Sequence, residues 1–254
     1  MIENKPNLIF KRVKSISRIT LHKTKVYSLK CNPYSNLFSN NMLVHNCDTT
    51  WALVNKPYCK IKKTRGRGFI KIRNPLSVVK LLAIIKKINK IKGPYHSVAI
   101  TGGEPLLQKD FLKELLAAIR QIGIKIYLET NGILFKELSE IIDYIDFIAM
   151  DIKLPSSTGL RDFWYEHERF LRVALRKKVF IKAVICDSTR LEDLKKAVDL
   201  IANLNKNIPF VLQPNSFEMD QGLINKIRRF QRISLNNLLD VRVIPQMHKM
   251  LGIR

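Results

Sequence analysis

Negative charge is what this sequence has least of: 21 Asp and Glu stand against 45 Lys and Arg, a formal net charge of +24 across 254 residues. A surface of that sign attracts anionic ligands, a small carboxylate or a nucleic acid among them, but argues for neither a fold nor a specificity. No RNA- or DNA-binding motif accompanies the charge, so nucleic-acid binding is not expected. Much of the excess sits in CKIKKTRGRGFIKIR and VALRKKVFIKA, where basic and apolar residues alternate, and this reads as solvated surface. Cysteine is sparse too. Cys31, Cys47, Cys59 and Cys186 lack the close, even spacing of a disulfide framework, which excludes a small stapled secreted domain and leaves reduced thiols. No apolar run approaches the roughly 18 residues needed to cross a bilayer, and nothing resembles a signal peptide. With 46% hydrophobic residues the chain can bury a sizeable core, and a cytoplasmic enzyme is the expectation.

What is present is a regular alternation. Short β-branched runs, YHSVAITGG, IKIYLETNG, DFIAMDIKL, KVFIKAVIC, IPFVLQPN and DVRVIPQ, are separated by amphipathic stretches, FLKELLAAIRQIG, LFKELSEIID, FWYEHERFLRVALRKK, LEDLKKAVDLIANLN and LINKIRRFQRISLNNLL. Strands alternating with helices of that length predict an α/β fold, a parallel sheet with crossover helices. In FLKELLAAIRQIG, Phe111, Leu115, Ala118 and Ile119 recur at helical spacing, and Gly123 sits where a helix stop belongs.

Polar sequences lie where such folds collect function, at the carboxyl ends of strands. Thr101-Gly102-Gly103-Glu104-Pro105 follows the first run, Glu129-Thr130-Asn131-Gly132 the second, Asp151-Ile152-Lys153-Leu154-Pro155-Ser156-Ser157 the third and Gln213-Pro214-Asn215 a later one. Four such ends converge on one mouth. Paired glycines let the backbone approach a ligand with no side chain between, and the carboxylate after them can meet an amino group. A Gly-Gly turn before proline is also an ordinary way to leave a strand; the order CDT, GGEP, ETNG, DIKLPSS is what makes the pattern specific. On those motifs residues 47–254 resemble the radical S-adenosylmethionine (SAM) enzymes and, among them, the 7-carboxy-7-deazaguanine synthases. The resemblance implies a partial (β/α)6-type radical SAM barrel, here lacking its first strand. It implies SAM held through Gly102, Gly103 and Glu104, with Asp151, Lys153, Ser156, Ser157 and Gln213 as further SAM contacts and Thr101 and Asn131 as substrate contacts.

The resemblance also implies a 4Fe-4S cluster on the thiolates of a CxxxCxxC motif, with one iron left to chelate SAM. Only the last of those cysteines is here, as Cys47 in CDT. Thr49, an oxygen ligand suited to a hard cation, is implied as the Mg2+ contact. The reaction implied is reductive SAM cleavage to a 5′-deoxyadenosyl radical, hydrogen abstraction from 6-carboxy-5,6,7,8-tetrahydropterin, and ring contraction with loss of ammonia to 7-carboxy-7-deazaguanine. A reductant such as flavodoxin or ferredoxin and a homodimeric state are implied with it. A cluster built instead from Cys31, Cys47 and Cys59 would lack the compact spacing of iron–sulfur ligands; Cys59 and Cys186 read as small buried hydrophobes. His96, His167 and His248 read as packing or surface residues, with His248 able to reach the mouth.

Ahead of Cys47, the strand-like VYSL, a polar link and NLFSNNMLVHN ending in His45-Asn46 resemble the closing motifs of an intein, a self-excising protein insert. Chemistry gives the junction residues distinct jobs. The Asn46 side-chain amide would attack its own backbone carbonyl, closing a succinimide and cutting the chain, while the His45 imidazole protonates the departing amine. Cys47 would accept the upstream segment as a thioester, and its freed amino group would then capture the acyl group as a peptide bond. Ser28 and Ser35 stand where that family often has Asp and His. The opening MIENKPNLIF contains no Cys, Ser or Thr, so the first splicing nucleophile is expected on a separate upstream polypeptide, the same one that carries the missing cluster cysteines. The expected organisation is thus a small β-rich (HINT-like) intein fragment over 1–46 and a radical SAM core over 47–254, inactive as a SAM enzyme until joined. Two other readings stay open: a glycyl-radical-enzyme activase of the same superfamily, and a non-catalytic basic nucleic-acid-binding remnant.

Overall fold

The computed structural model describes residues 13–21, 24–31, 36–39, 42–45, 57–62, 68–92 and 96–246. It begins with three antiparallel hairpins: β1 (Val13–Leu21) with β2 (Thr24–Cys31), β3 (Asn36–Ser39) with β4 (Met42–His45), and β5 (Tyr58–Lys62) with β6 (Phe69–Arg73). The VYSL run lies within β2, Val26 opposite Ile19 and Leu29 opposite Ile16. His45 is the last residue of β4, opposite Asn36. Asn46, Cys47 and Thr49 lie outside the described residues, as does His248.

Two parts of the basic stretch between Cys59 and Arg73, residues 59–62 and 69–73, are paired strands. Its alternation has a period of two, which is the signature of a strand, and the hairpin β5–β6 uses it so. Tyr58, Lys60, Phe69, Lys71 and Arg73 are exposed, while Cys59, Ile61 and Ile72 are half-buried; Ile70 departs from the alternation and is exposed. Helix α1 (Val78–Lys92), which the strand-and-helix alternation did not include, follows. Its Val78, Leu81, Leu82 and Ile85 recur at i, i+3, i+4 and i+7 and pack against the core.

The six β-branched runs form one sheet. In chain order its elements are β7 (Ser97–Ile100), α2 (Lys109–Gln121), β8 (Lys125–Thr130), α3 (Phe135–Ile141), β9 (Phe147–Asp151), the short α4 (Pro155–Thr158), α5 (Trp164–Ala174), β10 (Lys178–Ile185), α6 (Leu191–Asn205), β11 (Phe210–Pro214), α7 (Gln221–Ser234) and β12 (Val241–Val243). The spatial order β12-β11-β10-β9-β8-β7 is the chain order reversed, and every pairing is parallel. Right-handed crossovers between successive neighbours put the helices on one face of such a sheet. The strands show this by alternation. Ile126, Leu128 and Thr130 of β8 and Ile181, Ala183 and Ile185 of β10 are buried, whereas Tyr127, Glu129, Lys182 and Val184 between them are half-buried on the opposite face.

Helix α2 seals the covered face with Leu112, Leu115, Leu116 and Ile119, while Phe111 is only partly buried and Ala118 half-buried. The inward stripe is therefore rotated from the 111-115-118-119 set toward the leucines, which fill more of the space above β8. Each such full burial is worth roughly 1.5–3 kcal/mol. The helix stops at Gly123, whose φ is +75° and whose N–H donates to the Arg120 carbonyl at 3.0 Å. Among the described residues no helix is long and apolar enough to cross a membrane.

Candidate active site

All four polar sequences lie at the carboxyl ends of the parallel strands, and hydrogen bonds tie each loop to the next. Leaving β7, Gly102 and Gly103 have φ of +89° and +53°, and a Cβ on either would meet nothing within 4 Å. Left-handed backbone with open space above it is what glycine permits and other L residues resist. Glu104 then caps the single turn Pro105–Gln108, accepting from the Leu106 N–H at 3.2 Å, with Pro105 at the first helical position.

The Glu104 carboxylate turns back across the sheet. Oε1 accepts the Thr130 hydroxyl at 2.8 Å and Oε2 accepts the Asn131 N–H at 2.8 Å. Burial raises its pKa, and the donors from Asn131, Thr130 and Leu106 oppose that rise without cancelling it. Oε2 accepts one of these bonds and Oε1 two, so Oε2 has capacity for another. Beside it, the Thr101 hydroxyl donates to Glu129 Oε2 at 2.9 Å. Tyr127 lies two residues before it on the same strand face, and its pKa is pushed up by burial first and by the Glu129 carboxylate second. Glu129 belongs to the ETNG motif, but sequence reasoning gave it no role. Its place in the half-buried register of β8, next to Tyr127, was the available signal.

Thr130 is the pivot of this link, since its buried hydroxyl donates to Glu104 and accepts the Gly132 N–H at 3.3 Å. Thr130→Val keeps shape and removes both bonds. It is expected to cost roughly 1–2 kcal/mol in urea unfolding and to raise the Glu104 pKa further, because one of the groups holding that pKa down is lost; an unchanged Glu104 titration by NMR would refute the link.

The third loop continues from β9. Asp151 Oδ2 accepts Lys153 Nζ at 2.6 Å and lies 4.0 Å from Lys182 Nζ on the neighbouring strand. Two ammonium groups thus approach one carboxylate at this end of the mouth. The Lys153 N–H donates to His167 Nε2 at 3.1 Å, and His167 Nδ1 lies 2.9 Å from the Gly132 carbonyl. His167 is fully buried on α5, and burial lowers its pKa to about 4, with the Gly132 carbonyl acting in the opposite direction. It was read as a packing or surface residue; it is packed, and it also bridges two loops.

Ser156 and Ser157 also make bonds within the protein. The Ser156 N–H donates to Asp193 Oδ2 at 2.8 Å, its hydroxyl accepts the Arg190 N–H at 2.9 Å, and the Ser157 hydroxyl bonds Thr189 at 2.7 Å. These bonds fasten the third loop to the start of α6. At the end of β10, burial raises the Cys186 thiol to about 11, which fits its reading as a small buried hydrophobe. Asn215 joins that strand end to β11, its N–H donating to the Ile185 carbonyl at 2.9 Å. Gln213 is half-buried on β11, in register with Val184 on the same open face as Lys182. His96 stacks on Phe147 with ring centroids 5.1 Å apart, far along the strand from these loops.

Thr101, Gly102, Gly103, Glu104, Asn131, Asp151 and Lys153 thus belong to one continuous rim, with Gln213 beside it. The open left-handed Gly102-Gly103 turn, the acceptor capacity of Glu104 and the ammonium groups of Lys153 and Lys182 suit a ligand that carries both an amino group and a carboxylate. Among the described residues there is no group of three or more His, Cys, Asp or Glu that could hold a metal ion; Cys47 and Thr49 lie outside them.

Comparison with known proteins bears on the same residues. The Radical SAM superfamily profile matches residues 57–176. The chain is similar to a 7-carboxy-7-deazaguanine synthase of Geobacter sulfurreducens, 36% identical over 216 residues that cover 84% of this chain and 86% of that protein. It is similar to a protein of the same description from Thermoplasma acidophilum, 34% identical over 177 residues, 70% of this chain and 74% of that one. A pyruvate formate-lyase-activating enzyme of Clostridium pasteurianum is 31% identical over 136 residues, 49% of this chain and 56% of that one.

Proposed function

Because the chain belongs to the 7-carboxy-7-deazaguanine synthase family and carries the radical SAM domain, we propose that its rim binds SAM and converts 6-carboxy-5,6,7,8-tetrahydropterin to 7-carboxy-7-deazaguanine. The observation that carries the reading is the open Gly102-Gly103 turn at the end of β7, bonded through Glu104 to the ETNG loop. In this reading the glycine backbone and Glu104 Oε2 receive the methionine amino group, and Lys153 and Lys182 draw in carboxylate. Thr101 and Asn131 face the pterin, with Asp151 and Gln213 lining the same mouth. SAM would supply the radical chemistry, with the electron coming from a flavodoxin or ferredoxin by way of the cluster. The protein's part is to hold both ligands in one geometry and keep water out.

The cluster and Mg2+ are assigned to the segment holding Cys47 and Thr49, and to a partner polypeptide that supplies the first two cysteines. Splicing is the proposed route by which they meet. Support comes from β4, which ends at His45 directly before Asn46-Cys47, and from the absence of CxxxCxxC anywhere in the chain. Residues 1–46 would leave as the intein fragment, and 47–254 would work joined to the partner, as a homodimer. Mixing the chain with that partner and weighing the products tests this: a ligated product is expected, none should form with Asn46→Ala, and ligation that survives the substitution would reject the junction chemistry.

The joined product, incubated anaerobically with SAM, reductant and the pterin, is expected to yield 5′-deoxyadenosine and 7-carboxy-7-deazaguanine by chromatography. SAM cleavage without the deazaguanine, accompanied by a glycyl-radical signal on a second protein, would move the assignment to the activase that the partial likeness to pyruvate formate-lyase-activating enzyme represents.

A further inference from the structure

We propose that His167 is a positioning residue of the site, one imidazole that sets the distance between the ETNG loop and the Asp151–Lys153 loop so that both can engage the same ligand. The proposal rests on the reading of these loops as the SAM-binding rim. Its geometry is independent of that reading.

The hydrogen bonds dictate the tautomer. A backbone N–H can only donate, so His167 Nε2, 3.1 Å from the Lys153 nitrogen, must be unprotonated; a carbonyl can only accept, so Nδ1, 2.9 Å from the Gly132 oxygen, must carry the proton. A neutral ring therefore has both nitrogens used, one by each loop. Protonating it would set an N–H against the Lys153 N–H and break the bridge.

Placement makes the bridge rigid. His167 lies on α5 in the inward register shared by Phe163, Phe170, Leu171 and Ala174, all buried, and its ring meets that of Phe163 edge-on with centroids 6.2 Å apart. The Gly132 side is equally tight: a Cβ there would lie 3.2 Å from His167 Nδ1. An apolar side chain would fill this position on a helix stripe without desolvating two ring nitrogens. What the imidazole adds is a connection in series. Glu104 grips Thr130 and the Asn131 N–H, Gly132 follows in the chain, His167 grips its carbonyl and the Lys153 N–H, and Lys153 grips Asp151. The glycine turn after β7 is thereby linked to the charged pair after β9 through one buried ring.

Two substitutions separate the halves of the bridge. An asparagine amide sits near the Nδ1 position and can keep the Gly132 bond, while a glutamine carbonyl sits near the Nε2 position and can keep the Lys153 bond. Amide hydrogen exchange and SAM binding by saturation-transfer NMR are measured on the full chain and on His167→Asn, His167→Gln and His167→Leu. Exchange at the Lys153 amide is expected to quicken at least tenfold in His167→Asn and to stay near wild type in His167→Gln. SAM should bind at least fivefold more weakly to His167→Leu, with the single-bond variants between. Equal Lys153 exchange in His167→Asn and wild type would overturn the bridge. Faster exchange with unchanged SAM affinity would overturn its role in the site. If His167→Leu does not fold, the His167→Asn and His167→Gln pair decides both points. A wild-type chain that binds no SAM while showing the expected exchange pattern would overturn the ligand assignment of the rim and leave the bridge standing.

Discussion

A Gly132→Ala variant is expected to lose roughly 2–5 kcal/mol of unfolding free energy, the sum of about 1–2 for left-handed backbone and about 1–3 for overpacking. Gly132 has φ of +69°, and its added Cβ would fall 2.8 Å from Met150 Cγ and 2.9 Å from Met150 Cε. Met150 is fully buried on β9, so its side chain has no solvent to move into. Relief would require β8 and β9 to part at the rim or the His167 bridge to open, so loss of stability and loss of SAM affinity should appear together. Gly102→Ala is the control. Its φ is +89° but its Cβ would meet nothing, so it should show only the backbone cost. Equal urea midpoints for the two variants would refute the close-packing argument.

Acidification should unload the His167 bridge. The ring ordinarily titrates near 6.5, and burial holds it at about 4 in the folded chain. Between these values the unfolded chain takes up a proton that the folded chain refuses. Stability contributed by the neutral ring is therefore complete above about pH 6.5, declines as the pH falls toward 4, and levels off below; the total amounts to roughly 3 kcal/mol. The charged neighbours acting on the ring are Asp151 and Glu166, which favour its protonation, and Lys153, which opposes it. Carboxylates such as Asp146 and Glu166, whose pKa values are lowered by their arginine and backbone partners against the penalty of burial, add their own acid sensitivity. Subtracting the His167→Gln curve removes those contributions. The difference between wild type and variant should slope across pH 4–6.5 and flatten outside it; a flat difference throughout would place the proton elsewhere.

Much of this architecture was legible because it depends on patterns local in the chain. Each of the six β-branched runs became a strand of the parallel sheet, since a sheet covered by helices rewards apolar runs wherever they occur. The polar sequences after them had to surface at one edge, because parallel strands point the same way. The hairpin from Tyr58 to Arg73 was missed because the alternation of basic and apolar residues there was read as solvated surface, and pairing of the two halves is not a local property of the chain. Ser156 and Ser157 looked equivalent to the other rim polars in sequence, and only the approach of α6 shows their bonds going to Asp193, Arg190 and Thr189.

From residue order alone came the strands, the helices, the glycine turn and the likeness to radical SAM enzymes, all of which rest on spacing along the backbone. Tertiary structure alone decided which polar groups satisfy one another: that the Glu104 carboxylate takes Thr130 and Asn131, and that His167 reaches 35 residues back to Gly132 and 14 back to Lys153. Such bonds form between groups distant in the chain that packing has buried together, and the cost of leaving a buried donor or acceptor unpaired selects partners only after the packing exists.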